Sequence, residues 1–296
     1  MKNNQKPIIS VVMPVYNAGG FLVEAIESIL RQSYHRFEFI IVDDASTDGS
    51  WRIMNRYAKR DSRIQIYRNQ TNQGVSKSMR KALSHVTTKF VARMDGDDIA
   101  DSHRLEKQLK YLRKNKETIA VGGQCIVIDE KGRRVGMKNF PLSFEDIQAY
   151  IFTFIPVQQP TLMIALKRLP EHVILYENGY NTAEEVELLF KLFSYGKVEN
   201  MPDVLLKYRV HSQNTSFANI KQTFLLTLLS RIKAVAYYGY RPTVLGIFNT
   251  FLQTLLILVL PERSILWLYQ NMRRSTPFFT LAKYHSVPAN ERLVFE

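Results

Sequence analysis

The chain has 296 residues, 46% of them hydrophobic, which supports one large α/β domain with an appendage and excludes global disorder. A single cysteine, Cys125, excludes an intrachain disulfide and a cysteine-based zinc site; a small core residue in a reducing compartment fits it. Lys and Arg number 40 against 27 Asp and Glu, and the formal charge of +13 points to phosphate-bearing partners: nucleotides, nucleic acid or an anionic membrane.

The first seven residues are polar and lack the apolar core of a signal peptide. Residues 8–15 are nearly continuous in apolar character, as a strand covered on both faces should be. After the turn Asn17-Ala18-Gly19-Gly20, residues 21–32 carry Leu22, Ala25, Ile26 and Ile29 at helical spacing. A strand over 37–42 ends in Asp43-Asp44, and Asp48-Gly49-Ser50 opens a helix to about residue 59. Then follow a strand at 64–67, a helix at 74–86 and a strand at 90–94 that ends in Asp95-Gly96-Asp97-Asp98. This alternation implies a mainly parallel sheet with right-handed crossovers. Residues 120–128 and 134–137 read as a hairpin around Asp129-Glu130-Lys131-Gly132. Residues 182–193 form a helix with Thr182 as its N-cap, and 204–210 a further strand. Beyond about residue 217 basic residues outnumber acidic ones, and no charge occurs between Arg241 and Glu262.

Ligands bind a parallel α/β sheet at the carboxyl ends of its strands, where both acidic clusters sit. Carboxylates gathered in one crevice repel one another and call for a cation. Oxygen ligands without cysteine or clustered histidine favour Mg²⁺ or Mn²⁺, which keep positions open for substrate phosphates. Asp98 has a second reading, as the cap of the following helix. Asp44 followed by Ser46-Thr47-Asp48-Gly49 also suits a plain turn.

Four motifs then carry a resemblance. They are Ser10-Val11-Val12-Met13-Pro14-Val15-Tyr16-Asn17, Glu38-Phe39-Ile40-Ile41-Val42-Asp43-Asp44-Ala45-Ser46-Thr47-Asp48-Gly49-Ser50, Asn72-Gln73-Gly74, and Arg93-Met94-Asp95-Gly96-Asp97-Asp98. Their order and spacing resemble the family 2 glycosyltransferases, over about residues 8–215. The resemblance implies the GT-A fold and inverting, hexosyltransferase-type transfer of a sugar from a nucleotide diphosphate sugar, commonly UDP-linked. It implies Pro14, Tyr16 and Asn17 around the base, Asp44 as hydrogen-bond acceptor of the base, Asp95 near the ribose or sugar and Asp97 as metal ligand. Arg80 would contact donor phosphate or be a solvated helix position. Tyr208-Arg209-Val210-His211-Ser212 is similar to a late motif that closes over the diphosphate; His211 would hold metal or phosphate, and Arg209 would serve the donor side or orient acidic residues. The family's base stands in an acidic pair opening a helix. Here Glu185 holds its place within Ala183-Glu184-Glu185-Val186-Glu187-Leu188, with Glu184 and Glu187 as alternatives. Arg104 and Gln108 read as scaffold, and Gln158-Gln159 stands where many relatives carry histidine.

The expectation is an α/β GT-A catalytic domain over residues 1–215 and a basic, apolar helical tail over 216–296. The enzyme would use Mn²⁺ or Mg²⁺ to glycosylate a growing or lipid-linked surface glycan. It would be cytoplasmic, with the tail resting on the anionic inner face of the membrane through Tyr237, Tyr238, Tyr240, Trp267, Tyr269, Lys233 and flanking arginines. The alternatives are a transmembrane span over residues 242–261 or a helix packed on the catalytic domain. Three rivals remain: a catalytically dead relative acting as a scaffold, against which the acidic motifs argue; a nucleotidyltransferase, whose Gly-rich phosphate loop is missing; and a nucleic-acid-binding protein. The charge suits the last, but no known binding motif supports it.

Overall fold

The computed structural model describes residues 6–177, 179, 182–211, 220–261 and 264–265. Its N-terminal half follows the sequence pattern closely. Strand β1 (Ile9–Val15) lies parallel between β2 (Phe37–Asp43) and β4 (Phe90–Arg93), and β3 (Ile64–Arg68) extends the parallel set beside β2. Every residue of β2 is buried, the state its unbroken apolar run requires. Helix α1 (Leu22–Leu30) lays Leu22, Ala25, Ile26 and Ile29 on the sheet, all at 0% exposure. Helices α2 (Ser50–Ala58) and α3 (Val75–Ser84) complete the crossovers. Gly49 and Gly74 precede them at φ +96° and +85°, a region that a side chain would make costly.

The second half turns the sheet into a mixed one. The short strand β5 (Ile99–Ala100) leads into α4 (Arg104–Lys114), and β6 (Thr118–Ile128) pairs with β7 (Arg134–Lys138) as the expected hairpin. Helix α5 (Phe144–Tyr150) follows, and then β8 (Met163–Ala165) runs antiparallel between β4 and β6. After α6 (Glu184–Phe193), strand β9 (Lys197–Arg209) pairs in parallel with β6 and crosses β5. The resulting order is β3-β2-β1-β4-β8-β6-β9-β5, with β7 beside β6. Arg104 and Gln108 are fully buried where these halves meet. Arg104 donates to the carbonyl of Arg93 and Gln108 to those of Val121 and Thr161, so α4 ties β4 to β6.

Thr182 does not cap α6. The helix starts at Glu184 behind Ala183, whose φ of +60° is left-handed. That turn takes the Thr182 hydroxyl out of capping position and leaves it buried without a partner. Asp98 caps no helix either: α4 begins six residues later, and Asp98 Oδ1 instead accepts from the Arg209 amide at 2.8 Å.

Helices α7 (Ile220–Tyr237) and α8 (Val244–Val259) are docked on the α/β layer. Ala234 and Tyr240 belong to the same core cluster as Phe152 and Phe190. Tyr240 donates to the Gln148 carbonyl, and Asn249 and Gln253 bond Thr153. The outer side of α8 stays exposed at Val244, Leu245, Phe248, Phe251 and Leu258. No helix among the described residues is long and apolar enough to cross a membrane. Ser212, Trp267, Tyr269, Arg263, Arg273 and Arg274 lie outside the described residues.

Candidate active site

A cleft of about 1970 Å³ runs along the carboxyl ends of β1, β2 and β4 and continues to the α7–α8 pair. Pro14, Tyr16, Asn17 and Asp44, the residues expected around a base, line one end of it. Parallel register sets this up: Val15 is paired with Asp43, so the chain leaves β1 and β2 at the same level. Tyr16 is half exposed, an aromatic surface open to the cleft. Asn17 adopts φ +51°; its amide donates to Ser46 and its side chain accepts from the Thr47 amide. Asp44 is buried and accepts from Asn69 Nδ2 at 2.7 Å, the Gln73 amide at 2.9 Å and the Gly74 amide at 2.8 Å. Its carboxylate therefore locks the loop before α3 into this end of the cleft.

The middle is acidic. Asp95, Asp97 and Asp98 each offer an oxygen, and these atoms lie within 4.8 Å of one another. Burial raises the Asp95 carboxyl against the pull of Arg93. Burial, then the charges of Asp97 and Asp95, raises Asp98 well above the ordinary carboxylate range. Asp98 Oδ2 is buried without a partner. Three oxygen donors, one orphaned, with His211 Nε2 at 3.0 Å from Asp97 Oδ2, fit a hard divalent cation. Asp95, Asp97 and His211 face the cleft; Asp98 stands behind them. A Cβ on Gly96 would come within 3.2 Å of the Ala18 Cβ, so the residue between the two aspartates has little room to grow.

Arg209 does not line the cleft. Its side chain is 1% exposed and donates to the carbonyls of Asp97, Asp129 and Glu130, with Glu24 as its ion pair at 2.5 Å. Its guanidinium is thus consumed in fixing the Asp97 backbone, which corrects its expected place among donor-contacting residues in favour of the orienting one. Arg80 is likewise not brought to the cleft. It lies near enough to Glu177 to help hold that carboxyl below its usual range, after Lys191. Lys77, one turn earlier on α3, lines the cleft in its stead.

Across from the aspartates, the left-handed Ala183 aims the start of α6 into the cleft. Glu184 and Glu185 both line it, and burial raises both carboxyls; for Glu184 the charge of Glu185 adds to the shift. Glu187 points away: it is 1% exposed and accepts from the Tyr238 hydroxyl at 2.6 Å.

Sequence reasoning missed Arg93. Its guanidinium is 2.6 Å from Asp95 and 4.0 Å from Glu184, and it lines the cleft between them. The signal was present, since an arginine in a central strand, between apolar Ala92 and Met94, needs buried counter-charges.

This mixed sheet with an acidic strand end in its cleft is the GT-A architecture of glycosyltransferases. The Glycosyl transferase family 2 model matches residues 10–174, more than half of the chain, and the chain belongs to that family. An uncharacterized glycosyltransferase of Haemophilus influenzae is 31% identical over 218 residues, which are 71% of this chain and 68% of the relative. One from Methanocaldococcus jannaschii is 31% identical over 221 residues, 73% of this chain and 76% of the relative. Among solved structures, Staphylococcus aureus TarS 1–349 in complex with UDP-GlcNAc superposes with a TM-score of 0.57 at 19% identity, over 75% of this chain and 66% of that one. The mannosyltransferase PcManGT of Pyrobaculum calidifontis, in complex with GDP-Man and Mn²⁺, superposes with a TM-score of 0.54 at 16% identity, over 88% and 83%. The chain spans only 39% of the longer TarS chain it matches.

Proposed function

We propose that this glycosyltransferase moves a hexosyl group from a nucleotide diphosphate sugar, UDP-linked, onto an acceptor hydroxyl with inversion. The observation that carries the reading is the facing of two acid groups across one cleft: Asp95 and Asp97 with His211 on one side, Glu184 and Glu185 on the other. Nucleotide sugars occupy the TarS and PcManGT structures, which supports a donor of this class here. The base would lie against Tyr16, in the end shaped by Pro14, Asn17 and the Asp44-bound loop.

Asp97 and His211, with Asp95 beside them, would hold Mn²⁺ or Mg²⁺. Such an ion neutralises the charge that grows on a departing diphosphate. Arg209 keeps the Asp97 backbone in place. Glu185 is the base. Like charges in a buried pair disfavour double ionisation; burial raises both carboxyls, and the charge of Glu185 raises Glu184 further. The acceptor oxygen bonds the anomeric carbon as the bond from that carbon to the diphosphate breaks. The hydroxyl proton passes to Glu185, and the nucleoside diphosphate leaves. Inversion follows from attack on the face opposite the leaving group.

The acceptor would be a growing or lipid-linked glycan. The apolar outer face of α8, with exposed Arg241 at its start, would rest on an anionic cytoplasmic membrane surface. In this reading residues 1–215 carry catalysis and the tail brings the cleft to its acceptor. A panel of nucleotide sugars scored for slow hydrolysis with Mn²⁺ tests the reading. Release of UDP from one or a few sugars supports it; no turnover and no binding of any nucleotide sugar contradicts it.

A further inference from the structure

The far end of the cleft is walled by α7 and α8. Both helices are largely apolar, yet each turns a polar stripe toward the cleft. On α7 it is Thr223, Thr227 and Arg231, each one turn after the last; on α8 it is Asn249 and Gln253. Arg231 is only 4% exposed. Its Nη1 donates to Thr250 Oγ1 at 3.1 Å and Gln253 Oε1 at 2.9 Å, both neutral acceptors. Its Nε is buried without a partner, as is the Thr223 hydroxyl on the same wall.

The other buried arginines among the described residues have a carboxylate or a backbone carbonyl. Arg93 has Asp95, Arg209 has Glu24 and three carbonyls, and Arg104 has the Arg93 carbonyl. Among the described residues Arg231 has no carboxylate and no backbone carbonyl. Burial pushes its guanidinium down to about 10, with the Phe152 ring 5.4 Å from its Cζ and two neutral acceptors beside it. Beside a cleft, such a group is placed to take a ligand that supplies the missing charge. Arginine suits this task, because its planar fork presents paired donors to an oxyanion.

We infer that Arg231, with the Thr223 hydroxyl, forms an oxyanion subsite at the acceptor end of the cleft, so that the acceptor is an anionic glycan whose phosphate or carboxylate seats on α7. The inference rests on the proposed transfer reaction, because it takes the far end of the cleft as the acceptor's. It adds what that reading leaves open: the charge class of the acceptor and the residue that selects it. A neutral acceptor would leave Arg231 with neutral partners only and its Nε unpaired, so the site favours charged acceptors twice, by attraction and by the cost of leaving the charge unbalanced.

The test uses the full chain with UDP and Mg²⁺ at saturating concentration, so that the donor end is filled. Glucose 6-phosphate, glucuronate and glucose are then titrated and followed by ligand-detected NMR. The wild type should bind one or both acidic sugars and not glucose. A signal from glucose 6-phosphate alone marks a phosphate-bearing acceptor, and one from glucuronate alone an acidic sugar. Arg231→Gln should weaken the acidic sugars at least tenfold, Arg231→Lys should restore part of the loss, and UDP affinity should be unchanged in both. Thr223→Val should give a smaller loss in the same direction, independent of any damage from losing the arginine. Equal binding of glucose and the acidic sugars, or unaltered binding in Arg231→Gln, overturns the inference. Failure of UDP to bind the wild type would instead overturn the proposed function.

Discussion

The guanidinium of Arg93 sits 2.6 Å from the carboxylate of Asp95, in a side chain that is 7% exposed. Glu184 lies 4.0 Å from the other terminal nitrogen. One cation thus joins the two acid groups that face each other across the cleft. Removing it strands the buried Glu184 carboxylate and the partly exposed Asp95. Arg93→Gln should therefore lower stability by about 3–5 kcal/mol, the range for breaking a buried pair. Part of that loss should return in the double variant Arg93→Gln/Glu184→Gln. Chemical denaturation of the three variants measures it, and additive losses would show that Arg93 and Glu184 are not coupled.

The two glutamates opening α6 give opposite signs to activity and stability. Both carboxyls are raised by burial. A base must be ionised, so turnover should fall as pH drops through the raised value, at higher pH than for an ordinary carboxylate near 4.3. A raised carboxyl binds its proton more tightly in the folded chain. Its contribution to stability is therefore full below the unfolded value and is lost as pH rises to the folded one. Glu185→Gln should cut turnover by about 10²–10⁴ and leave donor affinity alone. Glu187→Gln should mainly affect stability, since Glu187 faces Tyr238. A pH–rate profile and the two variants check this; a dead Glu184→Gln beside an active Glu185→Gln would move the base by one residue.

Much of this was legible in the chain. The alternating apolar runs from residue 8 to 94 match β1 to β4 and α1 to α3 within a few residues, because strands buried on both faces and helices on one face leave strong periodic signals. The short pieces were not legible: β5 has two residues and β8 three, and such lengths carry no periodicity. Nor could the sequence orient side chains that are set by tertiary pairing. Arg209 and Arg80 carry the right charge for phosphate. Arg209 is occupied by carbonyls and Glu24, and Arg80 is near Glu177 and does not line the cleft. Arg231 is among the flanking arginines expected to pair with anionic lipid headgroups; the packing of α7 against α8 instead encloses its charge, leaving it 4% exposed.

Asp44 supports one end of the cleft through three hydrogen bonds to the segment from Asn69 to Gly74. Asp44→Ala should release that loop, costing about 1–3 kcal/mol from the buried donors left unpaired. The KM for the donor should rise more than kcat falls, because the damage lies at the base end and away from Glu185. Steady-state kinetics on the variant, set beside its melting curve, separate the two effects; an unchanged KM would remove Asp44 from the donor site.

The exposed side of α8 supplies a test of membrane contact that leaves the fold intact. A cut before α7 would remove Ala234 and Tyr240 and uncover the core residues they pack with, such as Phe152 and Phe190, so truncation is a poor probe. Phe248→Glu and Phe251→Glu alter side chains that are 59% and 67% exposed. Together they should strongly reduce co-sedimentation with anionic vesicles without lowering the melting temperature. Equal sedimentation of variant and wild type would exclude this face as the contact.

Calorimetric titration of UDP into the chain tests the central claim most directly, with Mn²⁺ present, with the ion removed by a chelator, and in Asp97→Asn. The account predicts binding that depends on Mn²⁺, a loss of at least tenfold on chelation, and a similar loss in Asp97→Asn with its melting curve retained. UDP affinity that is the same under all three conditions would contradict it.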